Sequence, residues 1–440
     1  MIQRIFYSKY NVINIIILLI PLSYIAGNLV LNLNILILTL TSIILFHKEI
    51  FRIRLNKIDK LILLFFVYTI LNGFFNNFFN FNFSNATDQN VVLNKSLLYL
   101  RYLLLYFVFR FLVEKNFINY KLLFWSFGLA SLFVSIDVII QNFFGKDIFG
   151  FEGGNRRLGG PFGGEYIAGA FIQKFFIFLI FAVLFFYKTE KKWLFNFLIF
   201  IVFILSAMGI LFSGNRIPLF LFVITVGLIF IYEKKIRHVL IILLIVFITA
   251  FSYLIKTKQD IYYSYIRFAH KSIQIVDYVK ERVKTDKVDI LNPHIKEIES
   301  GILTWQQNKI FGGGIKSFYF NCTKINKFMM ENYLKSCNSH PHNYYLEILG
   351  ILGLVGFVLI ITLFAVVTIK ALKFIHFSED AFEKKKFIIP FFIVFIVEIF
   401  PLKTTGSFFT TTTSNFLFII LAFVVGLIQS NILKKNYEKK

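Results

Sequence analysis

Apolar runs about twenty residues long recur along this chain, separated by short polar stretches in which Lys and Arg concentrate. A helix needs about 20 predominantly apolar residues to cross the hydrocarbon core of a bilayer. The pattern predicts twelve such spans, at roughly 11–27, 29–46, 61–80, 96–113, 121–143, 166–187, 194–212, 217–233, 239–255, 346–369, 387–402 and 414–433. Most are hydrophobic all round, as expected of helices that face lipid. The first does not read as a cleaved signal peptide: another apolar segment follows almost at once and no clear A-x-A site precedes it. One interval breaks the rhythm. Residues 256–343, about 88 residues between the ninth and tenth spans, hold two amphipathic stretches, about 258–284 and 294–309, and a Gly-rich turn at Gly312 to Gly314. The predicted organisation is an all-α polytopic membrane protein with nine spans in 1–255, a mainly helical extramembrane loop domain at 256–343, and three spans in 344–440.

Composition agrees with that reading and excludes a soluble one. Hydrophobic residues are 57% and charged residues 16% of the 440, against about 45–50% and about 25% in soluble domains. The net charge of +23 on a soluble module would point to nucleic acid. On a polytopic protein it first sets orientation, because short cytoplasmic loops collect Lys and Arg. With the N-terminus inside, the cytoplasmic segments take 25 basic residues, Arg110 among them. The short outer loops take six: Lys95, Lys146, Arg156, Arg157, Arg216 and Lys403. Both termini are therefore expected in the cytoplasm and residues 256–343 outside, where a long loop is exempt from the charge rule. No nucleic-acid partner is implied; the surrounding lipids are.

The outer face holds the chemistry. His340 and His342 lie in HPHNYYLEILGILGLVG, just ahead of the tenth span. Pro341 disfavours helix at His340, so the helix is expected to start near Asn343, with His342 at its positive end. That end disfavours imidazolium, leaving a ring able to accept a proton; a histidine that merely caps the helix fits equally well. Arg157 lies in GNRRLGGPFGGE beside Arg156, and Arg216 lies in SGNRIP. Arginines kept outside can bind headgroup phosphate nonspecifically, or clamp one phosphorylated lipid through bidentate guanidinium contacts. Topology delivers His342, Arg157 and Arg216 to one face. Arg101, Asp137, Lys174 and Glu398 sit toward the outer ends of their spans, where they are expected to pair with one another and line an outward-opening polar cleft. Glu347, five residues after His342, is a candidate to orient a partner or a plain interfacial charge. Cys322 and Cys337 both fall in the outer loop, where an oxidising compartment permits a disulfide; two unpaired thiols are the alternative.

Some chemistries lack support in the sequence. No D-x-D or comparable acidic cluster marks the outer face for a divalent metal, and GGGIKS lacks the spacing of a phosphate loop. No Ser-His-Asp arrangement suggests hydrolysis.

The motif His342, Asn343, nine residues, Gly353, Leu354, Val355, Gly356 resembles the ligase pattern of the O-antigen ligase and O-antigen polymerase superfamily, bacterial inner-membrane transferases of lipid-linked glycans. The resemblance extends to R-x-x-G-x-F (Arg157, Gly160, Phe162), to the S-G-x-R turn (Ser213, Gly214, Arg216) and to the large outer loop ahead of the histidine. It implies a glycan donor on undecaprenyl pyrophosphate at the periplasmic leaflet of a Gram-negative inner membrane, and transfer without cofactor or metal. It casts His342 as base and Arg157 and Arg216 as pyrophosphate ligands. His340, Asn343, Arg156, Glu347, Arg101 and Lys174 are supporting candidates. The acceptor is lipid A–core in a ligase, another lipid-linked repeat unit in a polymerase, or protein in an O-oligosaccharyltransferase. A transporter or flippase is the reading from another class, and it gives no role to the large outer loop.

Overall fold

The structure is a computed structural model that describes residues 2–78, 86–154, 156–257, single positions between 259 and 277, then 293–322, 339–377, 382–403 and 406–438. Its helices are α1 (Ile2–Leu18), α2 (Ile20–Ala26), α3 (Asn28–Phe46), α4 (Lys48–Phe51), α5 (Lys57–Phe78), α6 (Ala86–Tyr99), α7 (Arg101–Glu114), α8 (Tyr120–Phe144), α9 (Ala168–Phe186), α10 (Lys192–Phe212), α11 (Arg216–Tyr232), α12 (Arg237–Thr257), α13 (Pro293–Gln307), α14 (Tyr344–Phe377), α15 (Phe382–Glu398) and α16 (Thr411–Glu438). Among the described residues ten helices are long and apolar enough to cross a membrane, and each falls on a predicted span. The eighth predicted span is the shorter apolar helix α11, and the eleventh is α15, 17 residues with Pro390 inside. The chain is a polytopic all-α membrane protein.

All-round hydrophobicity has two causes here, and lipid is only one. The window at Lys234–Thr257 is 17% buried inside the protein, as a lipid-facing helix should be. The windows at Ala168–Phe186 and Thr411–Ser430 are 72% and 83% buried; their apolar residues on every side meet other helices. Phenylalanine fills much of that interior. Phe391 and Phe423 stack with centroids 4.2 Å apart, and Phe124, Phe178 and Phe391 form a cluster of mutually tilted rings between α8, α9 and α15. Stacked and tilted ring contacts of this kind add to the packing that must drive helix association in lipid.

Arg110 is not the exposed edge charge that the orientation count takes it for. Its side chain is fully buried, 3.3 Å from Asp59 and 3.2 Å from Glu114, and Tyr106 donates to the same Asp59 at 2.7 Å. The two carboxylates compensate a charge that would be costly to bury alone, and the tyrosine hydroxyl satisfies one of them.

The described part of the long loop is tied into the membrane helices. α13 is the second predicted amphipathic stretch and packs on α14; the first stretch, about 258–284, lies mostly outside the described residues. α14 runs 34 residues but breaks at Gly353, whose φ of 64° and ψ of −168° are not helical. The backbone at 309–314 fills the break. Gly313 and Gly314 donate to the carbonyls of Gly350 and Ile351 at 3.2 and 2.7 Å, and Leu354 and Val355 donate to those of Lys309 and Ile310 at 2.9 and 3.1 Å. On the other side, Tyr68 donates to the carbonyls of Leu352 and Phe311, and Asn72 and Asn76 to those of Phe311 and Gly312. Backbone groups freed from a helix at membrane depth must find partners in protein, and the Gly-rich turn supplies them. That is what GGGIKS does in the fold.

Candidate functional site

The helix carrying the histidine motif starts where the sequence predicts. Asn343 caps α14, its Oδ1 accepting from the backbone of Tyr345 at 3.0 Å and Leu346 at 3.1 Å, the usual way an N-cap side chain satisfies orphan amides. Its Nδ2 donates to the carbonyl of Pro401 at 2.9 Å, and the Tyr345 hydroxyl donates to the carbonyl of Ile399. The start of α14 is thus clamped to the connection between α15 and α16. Glu347 belongs to the same clamp. It accepts from Ser407 Oγ at 2.5 Å and from the amide of Phe408 at 2.6 Å, so it holds that connection.

His342 stands just outside the helix at a φ of 50°, a conformation that few non-glycine residues adopt. Its Nε2 lies 3.6 Å from Oε1 of Glu297 on α13. Sequence reasoning missed Glu297. Forty-five positions separate it from His342, and no spacing rule joins them. Gly301, one turn further along α13, lets this approach happen: a Cβ there would stand 3.2 Å from Pro341. His340 rests against His342 with ring centroids 4.3 Å apart, and its Nδ1 is 2.9 Å from Ser339 Oγ. Burial, and then the neighbouring His342, push the His340 imidazole down to about 4, so it is neutral at physiological pH.

Arg156, Arg157 and Arg216 form a second group. The loop at 153–163 lies on the turn Ser213–Arg216: Leu158 donates to the carbonyl of Ser213 at 3.3 Å, and a Cβ on Gly214 would sit 2.3 Å from the carbonyl oxygen of Arg156. That contact requires glycine, as does the φ of 68° at Gly214. The charges of Arg157 and Arg156 bear on Arg216, so three guanidinium groups gather in one place.

The remaining charged residues divide. Lys174 does pair with Glu398, at 3.2 Å, and Lys403 approaches the same carboxylate at 2.6 Å. Tyr344 donates to it as well, at 3.0 Å. Asp137 and Arg101 do not join them. Asp137 accepts from the amide of Ile148 at 2.8 Å. Arg101 donates to the Tyr102 hydroxyl at 2.6 Å and to Thr411 Oγ1 at 3.2 Å. It lines a cavity of about 370 Å³ together with His340 and Glu347, while His342, Arg157 and Arg216 are not among the lining residues. Cys322 is buried; Cys337 lies outside the described residues.

Residues 201–361 match the family model described as O-antigen ligase. The chain carries a domain of the O-antigen ligase superfamily. The matched segment takes in Arg216, Glu297, His342 and the broken helix at Gly353, while Arg157 precedes it. No curated protein matches the chain. The O-antigen ligase segment therefore holds both members of the His342–Glu297 pair and the Gly-rich turn that seats one helix on the other.

Proposed function

We propose that this protein is an O-antigen ligase-type glycosyltransferase that moves a glycan from undecaprenyl pyrophosphate to a hydroxyl of lipid A–core at the periplasmic face of a Gram-negative inner membrane. The observation that carries this is the His342–Glu297 pair inside the ligase-family segment. The arginine cluster stands on loops at the same end of the bundle. In this reading His342 takes the proton of the acceptor hydroxyl as its oxygen attacks the anomeric carbon. Glu297 balances the imidazolium that forms. The bond from that carbon to the pyrophosphate oxygen breaks with its electron pair going to the leaving group, and the anomeric configuration inverts. Arg157 and Arg216, with Arg156 beside them, hold the pyrophosphate and stabilise the charge it gains; their guanidinium groups supply the positive charge that a metal would otherwise bring. A polymerase would run the same chemistry on a lipid-linked repeat unit as acceptor. Residues 256–343 act as a periplasmic domain that presents Glu297, and both termini are cytoplasmic.

Reconstituted protein, lipid-linked glycan and lipid A–core should give ligated product in the presence of a chelator. Arg216→Lys keeps the charge and loses the fork, so its transfer rate should fall by at least tenfold; an unchanged rate would leave Arg216 only a diffuse electrostatic role. Deletion of the gene should abolish all long chains on the lipopolysaccharide, with polymer accumulating on the carrier. Single-repeat caps instead would assign the polymerase reaction.

A disulfide between Cys322 and Cys337 belongs to the same proposal, supported by the absence of any free cysteine among the described residues. Closing a loop of about fifteen residues is worth roughly 3 kcal/mol on the chain-entropy account. It would restrain the segment just ahead of His340. Thiol titration of the unfolded protein should find no free thiol without reductant and two with it; two in both conditions would exclude the bond.

A further inference from the structure

The cavity beside His340 has no role in the mechanism above, and its lining is distinctive. Three cations border it: Lys95 from α6, Arg101 from the start of α7, and Lys316 from the turn after the glycines. Among the described residues none of the three forms an ion pair. The one carboxylate in the lining, Glu347, is buried and accepts from Ser407 and Phe408, so a single carboxylate stands against three cations. Between them stand the hydroxyls of Ser339, Thr410, Thr411 and Thr412 and the rings of Tyr102 and Phe409. Hydroxyls match the many donors and acceptors of a sugar, aromatic faces cover its apolar side, and an excess of cations matches a carboxylate or phosphate on it. A volume of about 370 Å³ is at the small end of ligand clefts, about 300–1,000 Å³, which suits a short saccharide segment and not a whole chain.

The position of the cavity says which sugar. His340 is in its wall, and the His340 ring lies 4.3 Å from that of His342. The Nε2 of His340 is buried with no hydrogen-bond partner among the described residues, so a hydrogen-bonding group remains to be satisfied on the side of the site where His342 works. We propose that this cavity binds an acidic saccharide, one bearing a carboxylate or phosphate group, and holds it next to His342. The assignment rests on the transferase reading, and it adds a substrate class: the glycan segment at the reacting end is anionic.

Binding can be read without turnover. Purified protein in lipid nanodiscs is titrated with a short oligogalacturonate, with a neutral oligosaccharide of the same length, and with inorganic phosphate, using saturation-transfer NMR. The acidic saccharide should bind at least tenfold more tightly than either control, and more weakly as salt is raised. The double variant Arg101→Gln/Lys316→Gln should lose at least tenfold in affinity, and the exposed Lys95→Gln should reproduce part of that loss without risk to the fold. Equal affinity for the neutral saccharide, phosphate binding as tight as the saccharide, or full affinity in the double variant would each overturn the proposal. Binding as expected with no transfer under any condition would remove the transferase reading and leave the site standing. Transfer with no preference for acid groups would do the reverse.

Discussion

His342→Asn is expected to abolish glycan transfer while leaving the protein folded. Residue 342 holds a φ of 50°, and asparagine is the residue after glycine that visits this region most readily. The substitution therefore keeps the backbone content at the entrance to α14, where Asn343 caps the helix and ties it to Pro401. An amide cannot accept a proton at any useful pH, so the variant loses the base and little else. Positioned general bases contribute about 10²–10⁴-fold, and the turnover number should fall by that factor with the thermal midpoint in detergent unchanged. The matched change Glu297→Gln keeps the shape at 3.6 Å and removes only the negative charge, so it should lose less than His342→Asn. A parent-like rate in His342→Asn would end the base assignment, and an unchanged midpoint excludes misfolding as the cause of a loss.

The contrast between these two residues shows what the amino-acid order exposes. The helix start beside His342 was legible because its signals are local: a proline before it, an asparagine cap after it and an apolar run beyond. The spans were legible for the same reason, hydropathy being a property of each segment by itself. The pairing of Lys174 with Glu398 could be anticipated because a buried charge in a span needs an opposite charge at the same depth. Glu297 could not. Its role depends on how α13 packs on α14, and that packing is set by backbone contacts at Gly312 and Gly353, not by any periodicity. The partners of Glu347 were likewise not legible, since nearness in sequence does not fix which way a helical side chain points. All-round hydrophobicity likewise failed to separate α9 and α16, buried among helices, from α12 on the periphery, because lipid and protein interiors select the same residues.

Gly353→Ala should be strongly destabilising for a change of a single methyl group. At φ 64° and ψ −168° residue 353 occupies backbone space that is essentially reserved for glycine, and forcing another residue there costs about 1–3 kcal/mol. Space is the second obstacle. A Cβ would stand 2.3 Å from the carbonyl oxygen of Ile310 and 2.6 Å from the amide nitrogen of Gly312, and both are backbone that can yield only by moving the turn away. Retreat of that turn unpairs four interchain-like backbone bonds, those from Gly313, Gly314, Leu354 and Val355. Each buried group left unsatisfied costs about 1–3 kcal/mol. Even with partial rescue by a resumed helix, the loss should exceed about 4 kcal/mol, read as a fall in the thermal midpoint and in folded yield. The same turn continues directly from α13, so the helix that carries Glu297 loses its seat on the helix that follows His342. Transfer should therefore disappear in whatever fraction remains folded, and limited proteolysis should open the chain between 309 and 314 before it cuts the membrane helices. If Gly353→Ala instead left both the midpoint and the protease pattern unchanged, the docked turn would not be what holds Glu297 against His342. The second motif glycine gives the control. Gly356 lies in regular helix beyond the break, where a Cβ would meet the side chains of Leu352, at 2.2 Å, and Tyr68 and not the backbone of the turn, so Gly356→Ala should leave the turn protected.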